Sequence, residues 1–313
     1  MLDAGERIGA NSYRMVGSLI GSFLTSTFTL PLVALLGNCN NKRGFTLTIS
    51  LFGIVAAALL LLAFKNVRER VPVSKKSVSF KNSLKATVGN VPWYLLVSAF
   101  AIFWIAQADR NSFSTYYAKY NLGNAQLASV FNSLQVLGII SSISIPFVVK
   151  ITNKTATMLI GLAIAAAGQA LMAVVSGNFV LVIIAWSIGV IGSSFAMSMP
   201  FAMLADTVDY GEWKSGYRAP GFLTAVGSAF CIQLGSGFGS FIPSKILAAA
   251  GFVAHRTQTA QVSSAISFSF IWLPVIIYAV VATIMVFYFK YERMENQIKS
   301  DLLERADKRE AAE

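Results

Sequence analysis

The chain has 313 residues, is 55% hydrophobic and only 12% charged, and carries a formal net charge of +11, with a mean hydropathy of +0.63. Soluble domains run near one quarter charged, so the composition excludes an ordinary soluble enzyme. It also argues against a nucleic-acid binder, because the basic residues stand in clusters between long apolar runs, the pattern by which membrane proteins fix their orientation.

The first twelve residues, MLDAGERIGANS, are polar and hold no apolar stretch of a secretory signal. Eight runs then follow that could cross a bilayer as helices, which takes about 20 apolar residues. They are Tyr13–Leu36, Phe45–Phe64, Pro92–Ala108, Leu127–Val149, Ala156–Val175, Phe179–Leu204, Phe222–Ala250 and Ile266–Phe289. The third is short and ends at Asp109–Arg110. Outer-membrane strands are about ten residues long and alternate in polarity. These runs are about twice that length and apolar on all sides, so they read as helices, which satisfy their own backbone in lipid. In the charged tail, Met294, Ile298 and Leu302 recur every four residues, as on a short amphipathic helix that lies on the surface with no chemistry of its own.

This divides the chain into two spans in 1–64, a basic linker at 65–91, six spans in 92–289 and a tail at 290–313. Nineteen lysines and arginines fall on one side of the membrane and six on the other. The positive-inside rule places the richer side in the cytoplasm, and an even number of spans puts both termini there. Cys39 and Cys231 lack metal or redox spacing, and His255 is the single histidine, so metal centres and histidine-based triads are not expected.

The most informative string runs from Ala205 to Lys214, ADTVDYGEWK, followed by Gly216, Arg218 and Gly221. Asp206 and Asp209 lie on one helical face at i, i+3 spacing, and Glu212 continues that face. Lys214 and Arg218 supply opposite charge. Such a network at a helix end can form in one conformation and break in another, as a gate does; the plainer reading is a solvated acidic loop that serves topology. Arg14 stands just inside the first span. A charge at mid-membrane costs about 2.5–3.5 kcal/mol on insertion scales, so Arg14 either joins a polar site or snorkels to the interface. Asp109 and Arg110 either line a central cavity or form an interfacial pair near the outer end of their helix. Trp93 and Trp213 read as interface belt residues, whereas Trp104 and Trp186 are mid-span and could face lipid or substrate. Gly227, Gly235, Gly237 and Gly239 follow no strand, so they are not a nucleotide loop; small residues in a membrane helix let a neighbouring helix approach.

The acidic string resembles the hallmark of the glycoside–pentoside–hexuronide:cation symporters, the melibiose-permease-like branch of the major facilitator superfamily. Glu6–Arg7, Ser12–Tyr13–Arg14 and Gly21 resemble the entry into that family's fifth helix. Arg110 with Tyr116–Tyr117, Tyr120 and Gly123 resembles its seventh helix and the loop beyond. The resemblance runs from the family's fifth helix to its tail and leaves out the first four helices.

It implies an all-α membrane protein, a major-facilitator-type helical bundle with about 8 transmembrane helices of an expected 12 or so, in a bacterial inner membrane. The implied activity is sugar:cation symport by alternating access. Arg14, Arg110, Trp104 and Gln233 are the expected substrate-binding residues, and Asp206, Asp209, Glu212, Lys214 and Arg218 the expected gate. Gln233 stands before Leu234–Gly235, where many members carry lysine. No cofactor is expected beyond a coupling cation, Na+ or H+, whose carboxylates in the family lie on the four helices left out. The expected partners are a small sugar or glycoside and the lipid bilayer, and a separate polypeptide could supply further helices. The alternative is a non-transporting membrane remnant or an interaction protein. A membrane enzyme is disfavoured, since no nucleophile or metal constellation is visible.

Overall fold

The computed structural model describes residues 31–38, 40–66, 80–124, 127–253, 256 and 258–310, with single positions between 17 and 29. The first predicted span falls largely outside the described residues, and Arg14 with it. Among the described residues there is no strand, and seven helices are long and apolar enough to cross a membrane: α1 (Lys42–Asn66), α2 (Val91–Asn121), α3 (Leu127–Ile151), α4 (Lys154–Val174), α5 (Phe179–Ser215), α6 (Pro220–Ala249) and α7 (Ala260–Glu292). They match predicted spans two to eight. A further helix, α8 (Glu295–Glu310), follows α7.

The chain divides into two compact units, Met1–Ser77 and Val78–Glu313. In the first, residues 31–37 are helical and turn through Asn38, which takes a left-handed φ of 43°. The side chain of Asn40 accepts a bond from the Arg43 amide at 3.2 Å, supporting the start of α1. Gly44 lets the two segments cross closely, since a Cβ there would lie 2.3 Å from the Val33 carbonyl oxygen. Beyond that crossing α1 is apolar all round, with Leu59, Leu60 and Leu61 exposed. That surface suits lipid or another helix.

In the second unit the helix starts are written locally. Asn90, Asn153, Asn178 and Thr259 each cap a helix by accepting from an amide in its first turn. Pro92 sits in the first turn of α2, where its missing N–H costs nothing. Asn90 also donates to the Thr207 carbonyl of α5 at 2.8 Å, tying the two helices together.

Glycine sets how closely the helices approach. Gly161 and Gly168 of α4 meet Gly189 and Gly192 of α5, and a Cβ on Gly192 would lie 2.3 Å from the Ala165 backbone nitrogen. Gly235 and Gly239 of α6 lie against Ala101, Trp104, Ile105 and Ala108 of α2, whereas a Cβ on Gly237 would meet open space. The close-packing reading of this glycine run therefore holds for Gly235 and Gly239. Gly227 fits against Leu204 of α5.

Two helices run past their predicted ends. The third predicted span stops at Ala108, but α2 continues to Asn121. Asp109 and Arg110 therefore do not end the helix. They stand about twelve residues inside the helix, roughly 18 Å from its end at 1.5 Å per residue. The sixth predicted span stops at Leu204, but α5 continues to Ser215 and carries the whole acidic string as helix. It ends at Gly216, whose φ of 74° is the left-handed conformation glycine adopts without strain.

Several long helices are irregular. Single π-helical turns occur at Tyr117–Asn121 in α2, Val226–Phe230 in α6 and Phe268–Trp272 in α7. The α-helix of α3 is interrupted at Leu134 and Gln135. Interruptions of this kind collect at functional sites, and in transporters they accompany substrate and ion sites.

Candidate functional site

The second unit has two apolar cores. One includes Phe103, Ala106, Met203 and Val281; the other includes Phe113, Trp186, Phe131 and Phe270. Along α2 the sequence passes from Ala106 of the first to Phe113 of the second. Gln107, Asp109 and Arg110 occupy the gap between them.

Arg110 is buried, at 3% exposure. Its Nη1 donates to Gln107 Oε1 and to Tyr278 Oη of α7, both at 3.2 Å. Tyr278 in turn donates to Gln107 Oε1 at 3.1 Å. The guanidinium carbon lies 4.4 Å from the ring centroid of Trp186 on α5, which gives the cation a π face. Trp186 is held in place by a bond from its Nε1 to the Phe131 carbonyl at 3.0 Å and by stacking on Phe270. Gly189 leaves the room the guanidinium needs, since a Cβ there would lie 3.3 Å from Nη2. Among the described residues, Nη2 and Nε find no acceptor. Asp109 is 0% exposed, and none of the described residues donates to either of its oxygens.

Next to this cluster lies an accessible polar strip. Exposed Gln135, at the interruption of α3, donates from its amide to exposed Asn111 Oδ1 at 3.1 Å. Ser112 of α2 and Ser240 of α6 share a contact of 3.4 Å. Half-buried Gln107 joins the strip to Arg110. Trp104 is half-buried at the α2–α6 crossing, against Gly235. Gln233 is exposed on an open face of α6 with Leu234, Gly237, Phe238 and Phe241. Arg110 and Trp104 therefore lie near one another on α2, and Gln233 follows on the adjacent helix. Trp186 and Trp93 are buried at 1% and 5%. Trp93 is not a belt residue: its Nε1 donates to the Leu223 carbonyl at 3.1 Å inside the unit.

The acidic string forms a different cluster from the one its spacing suggested. Arg218 pairs with Glu212 at 2.6 Å and Asp209 at 3.1 Å. Asp206 pairs instead with Lys154, the first residue of α4, at 2.6 Å. Among the described residues Lys214 joins no carboxylate, and it donates to the Gly89 carbonyl at 3.0 Å. Lys154 also pairs with Glu295 of α8 at 3.0 Å. Glu292 accepts from the Thr155 amide at 3.2 Å, placing a negative charge at the N-terminus of α4, where the helix dipole favours it.

The tail is helical, as the spacing of its apolar residues suggested, and its apolar face is docked. Ile298 of α8 is 4% exposed. Trp213 Nε1 donates to Asp301 at 2.8 Å, and Arg305 donates to the Trp213 carbonyl at 2.9 Å. Burial alone would raise the Glu295 carboxyl, but hydrogen bonds from Lys299 and Lys154 outweigh it and hold the group below its usual 4.5. A carboxyl lowered by folding contributes stability that is complete above its unfolded pKa and lost as pH falls through the folded value. A nitroxide at Leu303→Cys, an exposed α8 position, in a Cys39→Ser/Cys231→Ser background is therefore expected to stay immobile at neutral pH. It should gain mobility once pH drops below the ordinary glutamate range, and unchanged mobility there would remove Glu295 as the anchor.

Lys154, Glu292, Glu295 and Asp301 were missed because nothing in local spacing links residues 154, 206 and 295. Gln135 was missed because an amide within an apolar run carries no motif.

The family model described as MFS/sugar transport protein matches residues 2–293. An isoprimeverose transporter of Lactiplantibacillus pentosus is 33% identical over 95% of this chain and 63% of its own length. The inner membrane symporter YicJ of Escherichia coli (strain K12) is 28% identical over 92% of this chain and 63% of its own. A glucuronide carrier protein homolog of the same organism is 29% identical over 74% and 50%. The chain thus spans less than two thirds of the length of these curated relatives.

Proposed function

This chain belongs to the MFS/sugar transport protein family, a family of multi-pass membrane transporters and not of enzymes, and from that premise we propose that it serves sugar:cation symport by alternating access. The membrane is a bacterial inner membrane, and the basic end of the bundle, with both termini, is cytoplasmic. The substrate is a small glycoside of the kind named for its relatives, an isoprimeverose or a glucuronide. The coupling ion is Na+ or H+.

The observation that carries this reading is the accessible polar strip on otherwise apolar helices. Asn111, Gln135 and Gln107 offer amide donors and acceptors, and Ser112 and Ser240 offer hydroxyls. Sugar hydroxyls need that mixture, and polar side chains inside a membrane cluster where substrates pass. Arg110, Trp104 and Gln233 flank the strip, and Arg14 is proposed as a further substrate-binding residue. The Arg218–Asp209–Glu212 and Lys154–Asp206–Glu295 pairs are the proposed gate, ion pairs that form on one closure of the bundle and part on the other.

Uptake of labelled isoprimeverose and a labelled glucuronide into cells expressing this chain, with and without sodium or proton gradients, tests it. Gradient-dependent uptake is expected, reduced at least tenfold by Gln135→Ala, the loss of about 1.4 kcal/mol of substrate interaction. Correct membrane insertion without uptake of either sugar would overturn the transport reading in favour of a non-transporting or interaction role.

A further inference from the structure

The polar strip accounts for Gln107 and the accessible amides, but not for Asp109. Its carboxyl is fully buried between the two apolar cores, about 18 Å from the nearer helix end. Among the described residues, no amide, hydroxyl or cation donates to it. Arg110 is the next residue, yet no ion pair joins them among the described residues. The guanidinium is held elsewhere, by Gln107, Tyr278 and the face of Trp186.

That arrangement is informative because of what each protonation state requires. A carboxylate in such a place needs donors or a paired cation, and burying it without them is far more costly than burying the neutral acid. Arg110 has unused donors in Nε and Nη2. Pairing it with Asp109 requires one or both side chains to turn from their observed positions. Two arrangements are therefore available: a neutral Asp109 with Arg110 in its cage of Gln107, Tyr278 and Trp186, as seen, and an ionised Asp109 with Arg110 turned toward it.

We infer that Asp109 is a proton-binding site of the six-helix bundle, occupied in the observed conformation. On release, the O–H bond of Asp109 breaks, the proton passes to water, and the carboxylate takes Arg110 from its cage as counter-ion. On uptake the reverse occurs, and Arg110 returns to Gln107 and Tyr278. The charged and titratable groups that reach Asp109 are Arg110 on its own helix and Tyr278 on α7. Neither α5 nor α6 brings an ionised side chain to it among the described residues; they contribute Trp186, Gly189 and the glycine face that closes on Ile105 and Ala108. The site is closed to solvent in this conformation, so a proton bound here exchanges only when the bundle rearranges.

The occupancy of Asp109 does not rest on the symport reading above. Infrared absorption of the purified chain in lipid vesicles separates the two. At neutral pH a protonated-carboxyl band is expected that is lost in Asp109→Asn and kept in Asp206→Asn. Arg110→Gln removes the counter-ion of the ionised form, so its band should persist to a higher pH than in the unaltered chain. That second variant keeps the test decisive if Asp109→Asn fails to fold. A band untouched by Asp109→Asn, its absence from the unaltered chain, or the same titration in Arg110→Gln would overturn the proposal. Sugar uptake is read separately, so a chain that holds the proton but moves no sugar would refute the transport reading alone.

Discussion

Gly192→Ala is expected to destabilise the second unit by about 1–3 kcal/mol, the usual cost of forcing a methyl into a filled interface. The added Cβ would lie 2.3 Å from the Ala165 nitrogen and 2.7 Å from the Gly161 oxygen. Both are backbone atoms of a regular helix, so no rotamer change can relieve the overlap; α4 and α5 must move apart. Separation would disturb more than the one contact, because Gly168 and Gly189 depend on the same close approach. It would also loosen the wall that holds Trp186 and the guanidinium of Arg110. Gly237→Ala is the matched control. It adds the same methyl on another membrane helix, where the Cβ would meet open space, and its effect should stay within about 0.5 kcal/mol. Thermal unfolding in detergent, followed by fluorescence, compares them. Equal midpoints for the two variants would mean that the α4–α5 crossing does not set stability.

Much of this fold could be read directly, for one physical reason. A bilayer fixes the length of its crossing segments, so a run of about 20 apolar residues identifies a span without any knowledge of its neighbours. The seven described spans were found on that basis. The same physics hides which face of each helix is inward. A helix apolar on all sides has no polar stripe, and its periodicity says nothing about contacts. Glycine is the exception, since in a membrane helix it marks a surface where another backbone comes close. Gly235 and Gly239 behave so, but Gly237, between them, points away.

The misplaced helix ends share a cause. Asp109–Arg110 and the acidic string looked like membrane boundaries because charge is costly in lipid. In α2 the cost of Arg110 is reduced by Gln107, Tyr278 and Trp186, which come from three helices and cannot be recognised from the α2 sequence alone. In α5, Asp206 is paired by Lys154, 52 positions away, and that lysine is shared with Glu295, 141 positions from it. The tail shows the same limit from the other side. Its composition is that of a solvated helix, and only the docking of Ile298 and Asp301 reveals that one face is held.

Lys154→Ala is expected to release that helix. The ammonium lies between Asp206 and Glu295, and all three side chains are only about one fifth to one quarter exposed. Breaking a fully buried pair costs about 3–5 kcal/mol, whereas an exposed pair is worth about 0–1 kcal/mol. Partial exposure places this one between, at about 1–3 kcal/mol, and the loss has two parts: the attraction itself, and the repulsion of two carboxylates left facing each other. Arg218→Ala should cost about 0–1 kcal/mol, since its side chain is 55% exposed and water replaces much of what it gives. Trypsin cleavage after Lys299 and Arg305 reports the docking of α8 and should accelerate in Lys154→Ala but not in Arg218→Ala. Lys154→Ala with Glu295→Ala then decides between the two parts. If repulsion dominates, removing Glu295 restores much of the lost global stability while the tail stays open to trypsin. If attraction dominates, the double variant is as unstable as Lys154→Ala alone, and the lysine's bond to Asp206 is what joins α4 to α5 at this end.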